Sequence, residues 1–240
     1  MERKPFAPAV PSKIPDLRRA RFVTRRWQSY DESMDRLPAD EPDPVANWDL
    51  AGSSPEATWE RISNELVAAA SSGKHLLHLP TIVTVGPDGF PQARTVVLRY
   101  FDPARREAWF HTDIRSGKVT DITREPRVAL HWYVPSSRLQ IRIPAIATVH
   151  TGDERARAAW NGSATMSRAC YTADAPGTPL DTFPRAPRQP AVDDDTGFDM
   201  FAAVGCQFDE LDLLTLHAAG HQRVRLDLRQ TPPTWQILAP

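Results

Sequence analysis

Apolar positions change their period near Gly73, and the change separates a helix from a run of strands. Between Pro55 and Ala70, the residues Trp59, Ile62, Leu66 and Ala69 recur at three- and four-residue steps, the spacing of one helical face. Ser54 is a capping residue, Pro55 suits the first helical position, Glu56 meets the positive end of the helix dipole, and Gly73 is a natural stop. Beyond Gly73, apolar and β-branched residues come in short runs divided by turn signals. The runs His75–Val85, Thr95–Tyr100, Ala108–His111, Val128–Tyr133 and Leu139–Val149 predict strands, with Gly86-Pro87-Asp88-Gly89, Asp102-Pro103 and Pro135-Ser136-Ser137 as turns. Further strands are expected near Cys206–Leu216, Arg223–Leu228 and Trp235–Leu238, and short helices over Ser116–Arg124 and Asp153–Asn161. The stretch from His75 to Phe110 has no room for a crossover helix, which excludes a doubly wound parallel sheet. The expectation is a mainly β fold with flanking helices: a Greek-key barrel of about six antiparallel strands.

Composition changes this picture in one respect. The 240 residues include 23 prolines, crowded into Pro5–Pro55 and Pro176–Pro190. Such stretches cannot bury enough apolar surface to offset chain entropy. Residues 1–45 are therefore read as a proline- and arginine-rich arm, and residues 46–240 as the folded domain with a proline-rich loop at 172–197. The arm carries Arg18, Arg19, Arg21, Arg25 and Arg26, but the formal net charge is −1 and no other feature supports a nucleic-acid partner. The longest apolar runs fall far short of a membrane span, and the polar N-terminus has no apolar signal-peptide core. Two cysteines at unrelated spacing suit a reduced, cytoplasmic setting. His75 with His78, and His217 with His221, lack acidic or thiol partners at ligand spacing, so no metal site is expected.

The chemistry concentrates between Asp88 and Arg142. Arg94 opens a strand that ends at Arg99, and Thr112-Asp113-Ile114-Arg115-Ser116-Gly117-Lys118 follows just before a short predicted helix. Arg94, Lys118, the Ser116 hydroxyl and a helix N-terminus could converge on one anion, with a phosphate monoester the obvious candidate. Taken singly, Arg94 and Lys118 read better as ordinary surface charges; the order and spacing of the whole block reverse that. Glycine-rich nucleotide cradles and a Gly-x-Ser-x-Gly elbow are absent from the sequence.

Taken in order, the segments Arg94–Arg99, Phe110–Lys118, Arg138–Arg142 and His221-Gln222-Arg223, with the closing Leu-Ala-Pro, resemble the pyridoxamine 5′-phosphate oxidase family of FMN-binding split barrels. The resemblance spans Ala57 to Pro240, with a poorly matched loop between Thr172 and Phe198. It implies FMN as cofactor, its phosphate against Arg94, Ser116 and Lys118. It also implies that Thr95, Val96, Val97, Leu98 and Arg99, with His111 and Thr112, line the isoalloxazine. Gln140 and Arg223 would reach the same flavin from a second subunit, which implies a homodimer with FMN at its interface.

Departures from the family pattern bear on the reaction. Gly117 stands where the oxidase has an arginine near the FMN phosphate, and Arg99 replaces the substrate-binding lysine. Ala158, Ala159 and Gly162 occupy the helix that holds substrate phosphate in the oxidase, and Ala219 replaces an arginine two residues before His221. The flavin half of the motif set is kept and the vitamin half is not. Arg99, Arg168 and His221 are the candidate groups for a small-molecule substrate, and no side chain presents itself as a catalytic acid or base. An FMN-dependent oxidoreductase, a true pyridoxamine or pyridoxine phosphate oxidase, a deazaflavin-using reductase and a non-catalytic flavin binder all remain open.

Overall fold

The computed structural model describes residues 48–183, 195–217 and 220–240. The expected arm at 1–45 and the middle of the proline-rich loop lie outside the described residues.

Helix α1 (Pro55–Ser71) starts as its sequence dictates. The Ser54 hydroxyl accepts a hydrogen bond from the Ala57 amide at 3.2 Å, and Pro55 fills the first turn. Its inward face buries Ile62, Leu66 and Ala69, while Trp59 packs its ring 6.3 Å from those of Phe101 and Phe208. The expected strand at His75 starts six residues later. His75 instead accepts from the Leu77 amide at Nδ1 and donates from Nε2 to the Glu65 carboxylate, 3.0 Å away, and the His78 ring donates to the Ala69 carbonyl at 2.6 Å. Both imidazoles thus fasten the turn beyond α1, and the chain extends only from Pro80 onward.

Ten antiparallel strands follow among the described residues: β1 (Thr81–Val85), β2 (Pro91–Thr95), β3 (Leu98–Asp102), β4 (Glu107–Asp113), β5 (Arg127–Val134), β6 (Leu139–His150), β7 (Phe201–Gln207), β8 (Glu210–Thr215), β9 (Gln222–Asp227) and β10 (Thr234–Leu238). Helix α2 (Gly117–Arg124) joins β4 to β5, and α3 (Glu154–Asn161) follows β6. The barrel proper has about six staves, as the sequence predicts. β1, β5, β6, β7, β4 and β3 pair in turn. The ring closes where the amides of Val96 and Leu98 reach the Pro80 and His78 carbonyls, each at 2.9 Å.

Two features raise the strand count above six. The stave from Pro91 to Asp102 breaks at Val96–Val97, where the chain exchanges β1 for β4 as its neighbour. The long strand β6 is also shared. Its first residues, Leu139–Arg142, pair with β8, and its last, Ile146–His150, pair with β7. β8, β9 and β10 thus form an arm that leaves the barrel at the split.

Leu130, Trp132, Ile141, Ile143, Val204 and Leu211 fill the interior. Trp132 is buried with its indole donating to the Leu77 carbonyl at 2.8 Å, so its polar atom is satisfied. A second cluster lies under α3, where Trp160 packs among Phe198, Phe201 and Tyr171 and donates to Asp195 at 3.0 Å. Trp160 is a core anchor. Among the described residues, no helix is long and apolar enough to cross a membrane.

Candidate functional site

Alternation along β4 separates two sets of side chains. Glu107, Trp109 and His111 are partly exposed, whereas Ala108, Phe110 and Thr112 are buried. Thr112 meets the start of α2. Lys118 donates to the Thr112 hydroxyl at 2.9 Å, and the Ser116 hydroxyl lies 3.2 Å from the same oxygen. Ser116 occupies the N-cap of α2 but makes no capping hydrogen bond, which leaves its hydroxyl turned to this cluster. A Cβ added at Gly117 would meet no atom within 4 Å, so the first turn is open on that side.

Arg94 enters from β2. Its guanidinium donates to the Thr84 hydroxyl at 2.6 Å and pairs with Asp121 at 3.4 Å, while Thr84 donates to Asp121 at 2.6 Å. Asp121 and Thr84 are buried and position the arginine from behind. Burial lowers the Lys118 pKa, and the neighbouring charge of Arg94 lowers it further. The nearby Asp113 is engaged elsewhere, since Arg115 grips it at 2.6 Å. The Lys118 ammonium, the Thr112 and Ser116 hydroxyls and the start of an eight-residue helix lie together, with Arg94 near enough for its charge to act on Lys118. Such a donor set fits a phosphate monoester, and bound negative charge would relieve the pressure of Arg94 on Lys118.

On the other face of β4 lies a cavity of about 800 Å³, bounded by β3, β4 and the end of α3. Arg99 is exposed, faces this cavity, and makes no hydrogen bond or ion pair among the described residues. His111 stands beside it with Nδ1 3.3 Å from the Ser163 hydroxyl and its ring edge-on to Phe201. Burial and the Arg99 charge together push His111 down to about 4, so the imidazole is neutral at pH 7. Tyr171 is pushed up to about 12 by burial and stays protonated.

The backbone of Thr95, Val96, Val97 and Leu98 forms the break in the stave between β2 and β3. The remaining sequence candidates lie elsewhere in the single chain. Gln140 sits in β6 opposite Tyr133 and Leu214. Arg223 holds Asp212 with two hydrogen bonds at 2.9 and 3.1 Å, and Arg142 holds the same carboxylate at 3.0 Å. Burial alone would raise the Asp212 carboxyl, but the bonds from Arg223 and Arg142 outweigh it and keep the group below its usual range. Three strands separate β8 from β2 along the sheet, and neither Gln140, Arg223 nor the exposed His221 touches Arg94, Ser116 or Lys118. Arg168 is not at the cavity. It donates to the Asn161 carbonyl at 3.0 Å and lies 5.2 Å over Trp160, so it braces the end of α3.

Sequence reasoning missed Trp109 and the pair Thr84 and Asp121. The alternation of β4 could have grouped Trp109 with His111. Nothing in the local pattern ties Asp121 to Arg94, 27 residues away.

Comparison with known proteins agrees with this fold. Residues 56–151 match the family model described as the FMN-binding domain of pyridoxamine 5′-phosphate oxidase. Pyridoxine/pyridoxamine 5′-phosphate oxidase 2 of Arabidopsis thaliana is 28% identical over 135 residues, covering 52% of this chain and 67% of the plant protein. The pyridoxine/pyridoxamine 5′-phosphate oxidase of Azorhizobium caulinodans is 40% identical over 63 residues, 26% of this chain and 29% of its own length. Among solved structures, an FMN-binding protein related to pyridoxamine 5′-phosphate oxidase from Nostoc punctiforme superposes with a TM-score of 0.59 at 22% identity, covering 77% of this chain and 98% of that one. PhzG of Burkholderia lata gives a TM-score of 0.62 at 16% identity, covering 83% and 100%. At these identities the structural likeness speaks to the fold alone. FMN is the cofactor of the matched domain, and over residues 56–151 the chain is similar to the FMN-binding domain of the pyridoxamine 5′-phosphate oxidase family, on a fold it shares with FMN-binding split-barrel proteins.

Proposed function

We propose that the protein is an FMN-dependent oxidoreductase acting on a small molecule, and that it works as a cytoplasmic homodimer. The observation that carries this reading is the Arg94–Ser116–Lys118 cluster set against a cavity that opens on Arg99 and His111. In this assignment the FMN phosphate accepts hydrogen bonds from Arg94, Ser116 and Lys118. Thr95, Val96, Val97, Leu98 and Arg99 support the isoalloxazine, with His111 and Thr112. Bound FMN supplies two-electron redox chemistry, and the protein supplies position and electrostatics. Neutral His111 offers one ring nitrogen as donor and one as acceptor to a group in the cavity. Gln140 and Arg223, remote from the cluster within one chain, would complete the site in a second copy.

A true pyridoxamine phosphate oxidase is the alternative favoured by the names of the curated relatives. Against it, Ala158, Ala159 and Gly162 present no cation to a substrate phosphate at the cavity. The purified protein should show a flavin absorbance spectrum that survives dialysis and bleaches with a chemical reductant. Pyridoxine and pyridoxamine phosphates should be turned over negligibly. A colourless preparation that refuses added FMN refutes the reading, and turnover of either vitamer near 1 per second or above restores the alternative.

A further inference from the structure

Strand β8 carries one buried carboxylate on the side of the sheet away from the core. Leu211 and Leu213 belong to the core, whereas Asp212 and Leu214 alternate to the other face. Resting on the proposed function, we infer that Asp212 is a positioning residue of the flavin site: it fixes Arg223 in the orientation from which that arginine reaches the flavin.

The geometry of the grip is the first argument. Arg223 spends one edge of its guanidinium on Asp212, with Nε 3.1 Å from Oδ1 and Nη2 2.9 Å from Oδ2. A pair of parallel bonds of this kind sets the plane of the guanidinium as well as its distance. The Nη1 end keeps only a 3.4 Å contact with the Ala239 carbonyl, longer than a well-formed hydrogen bond, and so has donors left for a further acceptor. Asp212 is in turn anchored across the sheet. It stands opposite Arg142 of β6, whose Nη2 lies 3.0 Å from Oδ1. Arg142 shares its face of β6 with Gln140, which stands opposite Leu214, and Leu214 stands opposite Arg223. One carboxylate therefore ties β6 to β9, the two strands that carry Gln140 and Arg223.

Energetics is the second argument. The Asp212 side chain is only 10% exposed, and taking a carboxylate out of water is costly even when it is paired. A leucine at this position would extend the run from Leu211 to Leu214 without that cost, and apolar replacements of buried ion pairs are often neutral or stabilising. The two arginines do not need the carboxylate for their own solvation, since Arg142 is 44% and Arg223 24% exposed. What a leucine lacks is the means to aim a guanidinium. Direction, more than stability, is what Asp212 contributes.

Titration of the full apo-chain with FMN and with riboflavin, arranged as a double-variant cycle, tests this. Arg223→Ala should weaken both flavins roughly 10- to 150-fold, as expected for the loss of one charge-assisted hydrogen bond. Asp212→Leu should weaken both by up to the same factor, and should weaken neither further once Arg223→Ala is present. Denaturant melts and sedimentation show whether each variant keeps its fold and assembly; Asp212→Asn, which preserves the shape, should show the same coupling to Arg223 in smaller measure. Unchanged flavin affinity in Asp212→Leu, or an equal loss with and without Arg223, would overturn the inference and leave Asp212 a residue of the fold. Mixed dimers of Arg94→Ala and Asp212→Leu chains separate this inference from the shared site. If two chains share each flavin, one of the two sites keeps every residue intact, and half the sites should bind FMN as in the unaltered protein. If no site recovers while Asp212 and Arg223 remain coupled, the shared site is refuted and the positioning role stands.

Discussion

Replacing Arg94 by alanine separates a role in binding from a role in folding. In the assignment above, Arg94 donates to the FMN phosphate while Thr84 and Asp121 hold it from behind. Losing one charge-assisted hydrogen bond costs about 1.5–3 kcal/mol, which is roughly a 10- to 150-fold weaker Kd for FMN. The same change strands Asp121, whose side chain is 6% exposed. Breaking a fully buried pair costs about 3–5 kcal/mol. Here the arginine is 26% exposed and the contact is 3.4 Å, so about 1–2 kcal/mol is the reasonable share. Adding Asp121→Asn should recover that stability without recovering FMN. The assay is a fluorescence titration of apo-protein with FMN and with riboflavin, which lacks the phosphate, beside a denaturant melt. Arg94→Ala should lose most of its preference for FMN and bind riboflavin nearly as before. Arg127→Ala, at an exposed residue paired with Glu125, should change neither. If FMN and riboflavin weaken equally, and Asp121→Asn restores both, Arg94 serves the fold and the phosphate assignment fails.

Three further outcomes are expected. Sedimentation should find a dimer at micromolar concentration, and a monomer carrying one FMN per chain would refute the shared site. His111 should make stability depend on pH: the unfolded imidazole binds a proton near its ordinary 6.5, whereas the folded one does so only near 4. Stability should therefore fall as pH falls through that window, by up to roughly 3 kcal/mol; His111→Gln should flatten that part of the curve in denaturant melts, and an unchanged slope would show that the folded ring protonates freely. Gly205→Ala should cost about 1–3 kcal/mol by driving a methyl group into Trp109, and the second change Trp109→Ala should remove most of that clash in a double-variant cycle.

The sequence exposed the fold through its periods, and the order of its motifs singled out Ser116 and Lys118, which the structure sets beside Thr112. Helix α1, α2, α3 and most strands lie close to where apolar spacing, caps and turn residues put them. The signals that failed were those depending on distant partners. His75 and His78 read as the start of a strand because their bonds to Glu65 and Ala69 depend on how the turn folds back on α1. The break at Val96–Val97 is invisible in a continuous apolar run, since it arises from a change of neighbour between β1 and β4. Arg168 sits on a loop near the cavity in sequence, but its cation is committed to Asn161 and Trp160. The cavity wall was legible only in part, because Trp109 depends on a glycine in β7 that lies 96 positions along the chain.

A crystal structure of the FMN-loaded protein is the most direct test of the flavin site. The FMN phosphate should lie within hydrogen-bond distance of the Arg94 guanidinium, the Ser116 hydroxyl and the Lys118 ammonium, with a second copy bringing its Gln140 and Arg223 to the same flavin. A phosphate bound away from the Thr112 end of β4, or a flavin enclosed by one chain alone, would contradict it.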